Sequence, residues 1–341
     1  MITMKKIILF FALFAFTFCK VFSQPGNGVM TFVGKSVFYV TMNGQKAGET
    51  IQPSDTILYS GADFTLPSMS YGNMVIPSFQ VKGTTFTGGY GGVIWEEQSF
   101  TTSVKDSSGE EKSISGVLQK GSLSHGDGIY KVSLEFTFSY GKMPFPITYN
   151  VEGYYVKDYS GVNSVTVGGL YGPYTADVTY KVRTYLDEEG KKVDVEVPVY
   201  MLNETAIGDL LLGTYTVKGL VYDEGMGGFY KDYSSDNLTM HFTASRNGVV
   251  SIDGDYPLSS AGCENIFVSL SNGKAKIVNN FQPGAMPFPI SAVMDQNTST
   301  EIEHIYSGTD DVLRYDISGR RVSSSHQGLE IKGGRKYVNI R

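Results

Sequence analysis

The chain has 341 residues with 28 basic and 34 acidic side chains, which gives a formal net charge of −6 at pH 7. This acidic balance argues against a nucleic-acid partner, because binding to phosphates needs a basic surface. Of the two cysteines, Cys19 lies in the apolar N-terminal segment and only Cys263 lies beyond it, so the sequence predicts no internal disulfide framework.

Residues 1–23 have the pattern of an export signal. Two lysines provide a basic start, and an apolar run over residues 7–18 follows. The run is shorter than the ~20 apolar residues that a membrane-spanning helix needs, so we expect no transmembrane segment in the mature chain. The side chains before Gln24 suit signal peptidase and favour cleavage there. The alternative is a lipoprotein signal that uses Cys19.

Beyond the signal, apolar residues alternate with polar ones, and no long stretch has the spacing of an amphipathic helix. The clearest predicted strand runs over residues 130–140, where large apolar side chains occupy every second position. A similar alternation predicts a strand over residues 193–201. Turn signals separate such strands, at Asn43-Gly44 and at residues 187–190. The sequence therefore predicts an all-β fold of closely spaced antiparallel strands.

The pentapeptide Met-Pro-Phe-Pro-Ile occurs twice, beginning at Met143 and at Met286. A second echo, ending in Val-Lys-Gly, precedes each copy in the same order, which indicates a duplicated domain. Proline cannot donate to a central strand ladder, so we expect the pentapeptide at a rim, a bulge or the start of an edge strand. The repetition favours one corner built twice, with Phe145 and Phe288 as plugs. A ligand gate made from the same residues is the alternative.

The duplication divides the mature chain into three predicted units. Residues 28–156 form the first barrel domain and residues 170–294 form the second, with an interdomain linker over residues 157–172. A second polar linker over residues 294–309 precedes a C-terminal β module at residues 310–341. Basic residues outnumber acidic ones in this module, whereas the rest of the chain is acidic. This change of charge marks the tail as a separate unit.

Corresponding segments of the two halves carry a resemblance to a known domain. The segments are Phe64-Thr65-Leu66-Pro67 with Phe79-Gln80-Val81-Lys82-Gly83, and Ile207-Gly208-Asp209-Leu210-Leu211-Leu212 with Tyr215-Thr216-Val217-Lys218-Gly219. Both resemble the calycin-like (lipocalin-like) β-barrel domain of exported proteins from Gram-negative bacteria. The resemblance covers about residues 30–150 and 170–293. It implies two consecutive antiparallel barrels of eight strands each, and the family provides no catalytic residues to carry over.

The C-terminal tail resembles a different family. Residues 313–322 read Leu-Arg-Tyr-Asp-Ile-Ser-Gly-Arg-Arg-Val, and residues 328–338 read Gly-Leu-Glu-Ile-Lys-Gly-Gly-Arg-Lys-Tyr-Val. This order of strand, turn, strand and basic final strand is similar to the C-terminal sorting domain of the type IX secretion system. The resemblance implies a tail that directs transport. The alternative is a degenerate relative that only packs as a small β module.

No pattern of catalytic or metal-binding residues is visible in the sequence. The four histidines are scattered without paired spacing, so no zinc site or catalytic triad is predicted. Glu96-Glu97 and the pair Asp253 and Asp255 come nearest to the two carboxylates of a glycosidase, but carboxylates in turns are usually solvated. We therefore predict a protein that is not an enzyme and needs no metal or cofactor.

Two functions remain open. A filled barrel would serve as a structural module or would contact a cell-surface partner through its outer surface. A barrel with a hollow interior would hold a small hydrophobic, lipid-like ligand. The large side chains on the inner face of the 130–140 strand favour the filled barrel. The residues predicted to line a barrel and to contact any such ligand are Val132, Leu134, Phe136, Phe138, Phe145 and Phe288.

The exported protein is expected to begin at Gln24, because an apolar run of signal length ends shortly before that residue. Amino-terminal sequencing and intact-mass measurement of protein recovered from the cell envelope check this. A mature chain that begins at an acylated Cys19 would contradict the prediction and would make the protein a lipoprotein.

Overall fold

The fold was derived from a computed structural model of the whole chain. It describes residues 28–89, 92–168, 171–205, 208–258, 263–284, 286 and 288–297, together with four short strands of the tail. These residues form strands, turns and loops, with no helix among them. The prediction of an all-β fold is confirmed. The predicted export signal lies outside the described residues.

The first half consists of strands joined mainly by tight turns. Asn43 and Gly44 both have positive φ, as the predicted two-residue hairpin requires. The strands are β1 (Met30–Met42), β2 (Gln45–Ser60), β3 (Asp63–Leu66), β4 (Met69–Tyr71), β5 (Met74–Ile76), β6 (Phe79–Val81), β7 (Thr87–Gly89), β8 (Gly92–Trp95), β9 (Gln98–Lys105), β10 (Glu111–Gly126), β11 (Ile129–Tyr140) and β12 (Ile147–Val167).

Eight of these strands roll into what we call the open barrel. Antiparallel ladders join β6, β3, β2, β1, β12, β11, β10 and β9 in this order. The two ends of the sheet, β6 and β9, lie side by side. No ladder joins them in the described part of the chain, but the rings of Phe79 on β6 and Phe100 on β9 stack at 6.4 Å. Side chains therefore bridge the seam that the backbone leaves open.

The second half contains eleven further strands. The predicted turn at residues 187–190 is confirmed between the first two of them. The predicted strand over residues 193–201 is instead two strands that are separated at Pro198, which cannot donate to a ladder. The strands are β13 (Tyr171–Asp187), β14 (Gly190–Val197), β15 (Tyr200–Thr205), β16 (Gly208–Leu212), β17 (Tyr215–Asp223), β18 (Gly228–Asp232), β19 (Thr239–Arg246), β20 (Val249–Pro257), β21 (Asn265–Ser271), β22 (Lys274–Phe281) and β23 (Ile290–Asp295).

Seven strands of the second half form a complete ring together with β12, and we call this ring the closed barrel. Antiparallel ladders join β12, β13, β14, β17, β18, β21, β22 and β23, and β23 pairs again with β12. The remaining strands form a separate four-stranded sheet in the order β15-β16-β19-β20. Its buried side chains join the core of the closed barrel, so the sheet covers one end of the ring.

The strand β12 belongs to both barrels. Its first part pairs with β1 and β11, and its last part, Asn163–Val167, pairs with β13 and β23. The segment 157–172, predicted as a linker, is therefore continuous strand as far as Val167. The division into domains at residues 28–156 and 170–294 stays a prediction. A fragment that starts at residue 170, however, would lack the segment that closes the ring.

The repeated pentapeptide builds the same corner in both halves. The carbonyl of Pro146 accepts a hydrogen bond from the amide of Thr41 at 3.0 Å, and the carbonyl of Pro289 accepts one from the amide of Gly168 at 2.7 Å. In each half the donor lies at the far end of the first strand of the barrel, and the pentapeptide leads into the last strand. The corner thus ties the first strand to the last strand, in agreement with the predicted position at a rim.

The C-terminal tail contains a small antiparallel sheet. Its strands are arranged in the order β25-β24-β26-β27. Of the linker predicted over residues 294–309, Met294 and Asp295 instead belong to β23, and residues 298–309 lie outside the described residues, as do the remaining tail residues. The strands are β24 (Arg314–Asp316), β25 (Arg321–Val322), β26 (Gly328–Lys332) and β27 (Arg335–Asn339).

A fragment of residues 156–297 should unfold cooperatively, because it contains every ladder of the closed barrel. A fragment of residues 170–297 should melt more than about 10 °C lower or fail to fold, since it loses buried Val165 and Val167 and opens the ring. Thermal unfolding followed by circular dichroism compares the two. Equal midpoints would show that the shared strand does not hold the closed barrel together.

Candidate functional site

The structure places four of the predicted barrel-lining residues together on β11. Val132, Leu134, Phe136 and Phe138 are all buried in the core of the open barrel. The strand pattern predicted over residues 130–140 is confirmed by β11. Whether these side chains contact a ligand stays a prediction.

The other two predicted residues lie at the repeated corners. Phe145 is partly buried against the core of the open barrel, and Phe288 is partly buried against the core of the closed barrel. The ring of Phe288 also lies 5.9 Å from that of Tyr171, at the start of β13. The two phenylalanines therefore occupy equivalent positions in different barrels, and the structure does not bring them into one site.

Aromatic rings meet across the interior of the open barrel. Phe64 on β3 lies 6.2 Å from Phe136 on β11, and these two strands occupy opposite walls of the eight-stranded sheet. Phe79 on β6 lies 5.2 Å from Phe138, and Phe100 on β9 lies 6.0 Å from Phe136. Because eight strands leave room for little more than side chains, rings in contact from facing walls fill the centre of this barrel.

The closed barrel has a different interior, with a buried network of tyrosine and asparagine side chains. The hydroxyl of Tyr180 on β13 donates to Oδ1 of Asn163 on β12 at 3.0 Å. It also lies 2.5 Å from the hydroxyl of Tyr200, the first residue of β15. All three side chains are completely buried. The four-stranded sheet is therefore tied to the wall of the barrel through Tyr200.

The network continues across the barrel through Asn279 on β22. Its Nδ2 atom donates to the hydroxyl of Tyr215 on β17 at 2.8 Å, and its Oδ1 atom accepts from the hydroxyl of Tyr233 at 3.0 Å. Tyr200 is also hydrogen-bonded to Asn279, which joins the two parts of the network. Four tyrosines and two asparagines thus connect both walls of the ring with the sheet that covers its end.

Burial controls the protonation of these tyrosines. Removal from water disfavours the phenolate, so desolvation raises the pKa of Tyr180, Tyr200, Tyr215 and Tyr233 above the ordinary value of a tyrosine. The four hydroxyls are neutral near pH 7 and act as hydrogen-bond donors and acceptors. A general base or a nucleophile needs the opposite shift, so these hydroxyls are suited to holding the fold or a polar group and not to either of those two roles.

A second polar cluster lies on the exposed face of the four-stranded sheet. Nδ1 of His241 lies 2.9 Å from Asp255, and Nε2 lies 3.0 Å from Asp253. The hydrogen bond to Asp255 is the main reason that the pKa of His241 is raised. The two aspartates considered for a glycosidase pair therefore flank a histidine across the β19–β20 ladder. Within the described ranges, no group of side chains is arranged to hold a metal ion.

The sequence pointed to part of the buried network only. Tyr180 stands in an alternating run, and its inward position could be predicted from that period. Asn163 lies in the segment that was taken as a linker, and Asn279 has no sequence signal beyond its place in the alternating pattern of β22. Both asparagines are polar residues at inward positions of a strand, and this pattern predicts a buried polar contact.

The comparisons with known proteins agree with the closed ring. Residues 156–294 match the model of the calycin-like beta-barrel domain. This match begins within β12, where the closed barrel begins. No curated protein matches the chain.

One solved structure is similar to a large part of the chain. It is the crystal structure of a "putative outer membrane protein" from Bacteroides fragilis NCTC 9343, with 17% sequence identity and a TM-score of 0.24, covering 77% of this chain and 94% of that chain. A TM-score this low does not establish a shared arrangement of strands. No described helix is long and apolar enough to cross a membrane.

Replacing Tyr180 by Phe should destabilise the protein by about 1–3 kcal/mol, because it leaves Oδ1 of Asn163 without its donor in a dry interior. Chemical denaturation measures the change. Tyr222→Phe is the matched control, since Tyr222 is 51% exposed and its substitution should change the stability by less than about 0.5 kcal/mol. A Tyr180→Phe variant as stable as the control would contradict a structural role of the network.

Proposed function

We propose that this is an exported, non-enzymatic β-barrel protein that acts as a structural module or through its outer surface. The observation that carries the proposal is the contact between side chains from opposite walls, of which Phe64 with Phe136 is the clearest case. A carrier of the lipocalin type needs an interior that its own side chains leave open. Here the protein's own rings occupy the centre of the open barrel.

The closed barrel supports the same interpretation by other means. The hydroxyls of Tyr180, Tyr215 and Tyr233 all have partners within the protein. Buried hydroxyls that are hydrogen-bonded within the protein stabilise one arrangement of the barrel and offer little to an entering apolar ligand. The similarity of residues 156–294 to a calycin-like domain is compatible with a barrel that has a structural role.

Export is part of the proposal and is supported by the sequence. The basic start and apolar run within residues 1–23 favour a cleaved signal, with acylation of Cys19 as the alternative anchor. The order of strands in the tail, β24 to β27, follows the strand and turn pattern for which residues 313–338 resemble a sorting domain. The proposed location is the cell envelope or the surrounding medium, with a cell-surface partner for the outer face of the barrels.

The filled interior is tested with a fluorescent fatty acid such as 11-(dansylamino)undecanoic acid. We expect no saturable binding by the wild-type protein below about 100 μM. Phe136→Ala serves as the positive control, because removing a fully buried ring leaves a cavity that the probe can enter. Saturable wild-type binding tighter than about 10 μM that unlabelled fatty acid displaces would overturn the proposal in favour of a lipid carrier.

A further inference from the structure

Trp95, the single tryptophan of the chain, has an unsatisfied polar atom at the rim of the open barrel. Its side chain is 1% exposed, and within the part of the chain that the structure describes its Nε1 atom has no hydrogen-bond partner. A buried donor without an acceptor costs about 1–3 kcal/mol. A side chain that keeps such a cost is a candidate for contact with a group from outside the chain.

The surroundings of Trp95 are aromatic. Its ring lies 5.5 Å from Tyr59 and 5.0 Å from Phe64, both with edge-to-face geometry, and 6.1 Å from Phe86. On the strand opposite, a Cβ added at Gly121 would approach Trp95 to 3.2 Å, so the glycine leaves room for the indole. A water molecule needs two to four polar partners, which these ring faces do not offer.

Phe86 is the exposed member of this aromatic cluster. It belongs to the loop between β6 and β7, beside the seam that no backbone ladder closes, and it is 50% exposed. Hydrogen bonds fix the loop just before it, from Thr84 to the carbonyl of Ala62 at 2.8 Å and between Thr85 and Gln98 at 2.7 Å. The backbone is thus anchored, while the ring itself is half in solvent. Rotation of this one side chain would expose the cluster.

We propose that Phe86 and Trp95 form the lid and the donor of a binding site for a flat, neutral, apolar molecule that carries one acceptor oxygen. The acceptor, of the carbonyl type, takes the hydrogen bond from Nε1 of Trp95. The flat rings pack against Tyr59 and Phe64 in the edge-to-face manner that the cluster already shows. The exposed pair Glu96-Glu97 follows Trp95 directly and disfavours an anionic ligand.

This site goes beyond the proposed function, because a structural barrel needs no ligand. It also differs from a lipid site in its ligand, a flat ring system held by the donor Nε1 of Trp95, although Phe64 belongs both to this site and to the filled centre. The fatty-acid experiment and the experiment below can therefore fail independently.

The single indole makes the test direct. In a ¹⁵N-labelled mature protein, the one indole N–H signal is followed during titration with 1-acetylnaphthalene, and in parallel with naphthalene, which has the same rings without the acceptor. We expect a saturable shift with acetylnaphthalene and binding about tenfold weaker with naphthalene, the effect of one hydrogen bond. 1-Naphthoate, the anionic analogue, should also bind more weakly.

Variants identify the two residues. Trp95→Phe should bind acetylnaphthalene and naphthalene equally, which is followed by the fluorescence of the probe. Phe86→Ala should change the affinity at least threefold, whereas Tyr222→Ala, which removes an equally exposed ring in the other half, should leave it unchanged. Thermal unfolding verifies that each variant is folded. If a variant does not fold, the comparison of acetylnaphthalene with naphthalene on the wild-type protein still tests the site.

Two results would overturn the proposal. An indole signal that does not move, or that moves equally with both ligands, excludes a hydrogen bond to the acceptor. An indole proton shifted upfield in the free protein and unchanged by ligand would show that the N–H points at the face of Tyr59 or Phe64, which satisfies it weakly within the chain.

Discussion

The continuity of β12 is the constraint on which both barrels depend. This strand has 21 residues, and its odd-numbered positions face inward along its whole length, from Tyr149 in the open barrel to Val165 in the closed barrel. Because side chains of a strand alternate strictly, a strand without a bulge in this segment must present the same face to both interiors. The two barrels therefore lie on the same side of one strand and are stacked along it.

Lys157 marks the boundary between the two barrels on this strand. Its side chain occupies an inward position, donates to the carbonyl of Gly273 and lies 4.7 Å over the ring of Tyr159.

The duplicated halves keep the same frame but fill it differently. Both have the proline corner that ties the first strand to the last. The open barrel is filled mainly by phenylalanine rings, which need no hydrogen-bond partners and adapt to a seam without a ladder, although buried Tyr149 there donates to Asp55. The closed barrel is filled in part by tyrosine hydroxyls and asparagine amides, which demand specific geometry. A complete ring of backbone hydrogen bonds holds the walls at fixed distances, and this is the condition under which a hydrogen bond such as that of Tyr180 with Asn163 can form.

The sequence predicted those structural features that depend only on residues close together in the sequence. The alternation in β11, the turn at Asn43-Gly44 and the corner at each pentapeptide all follow from local rules, and the structure agrees with them. The role of residues 157–167 could not be predicted in the same way. Their polar side chains face solvent on one side, as in a linker, and only pairing with the next strand β13 and with β23, which is far away in sequence, makes them strand. The polar network has the same origin, because its residues become partners only when separate strands of the barrel come together.

The unsatisfied indole of Trp95 gains meaning from its place beside the weakly closed wall of the open barrel. In the closed barrel the hydroxyls of Tyr180, Tyr215 and Tyr233 find partners, although Nδ2 of Asn163 has none within the described residues. In the open barrel a donor of similar strength is buried among rings, beside the seam and next to the half-exposed Phe86. If burial at this position served packing alone, a phenylalanine would fill the space without the cost of an unpaired N–H. Nε1 of Trp95 lies beside the seam between β6 and β9, where the wall of the barrel has no ladder. A buried donor at this position fits the proposed binding site better than a defect in packing.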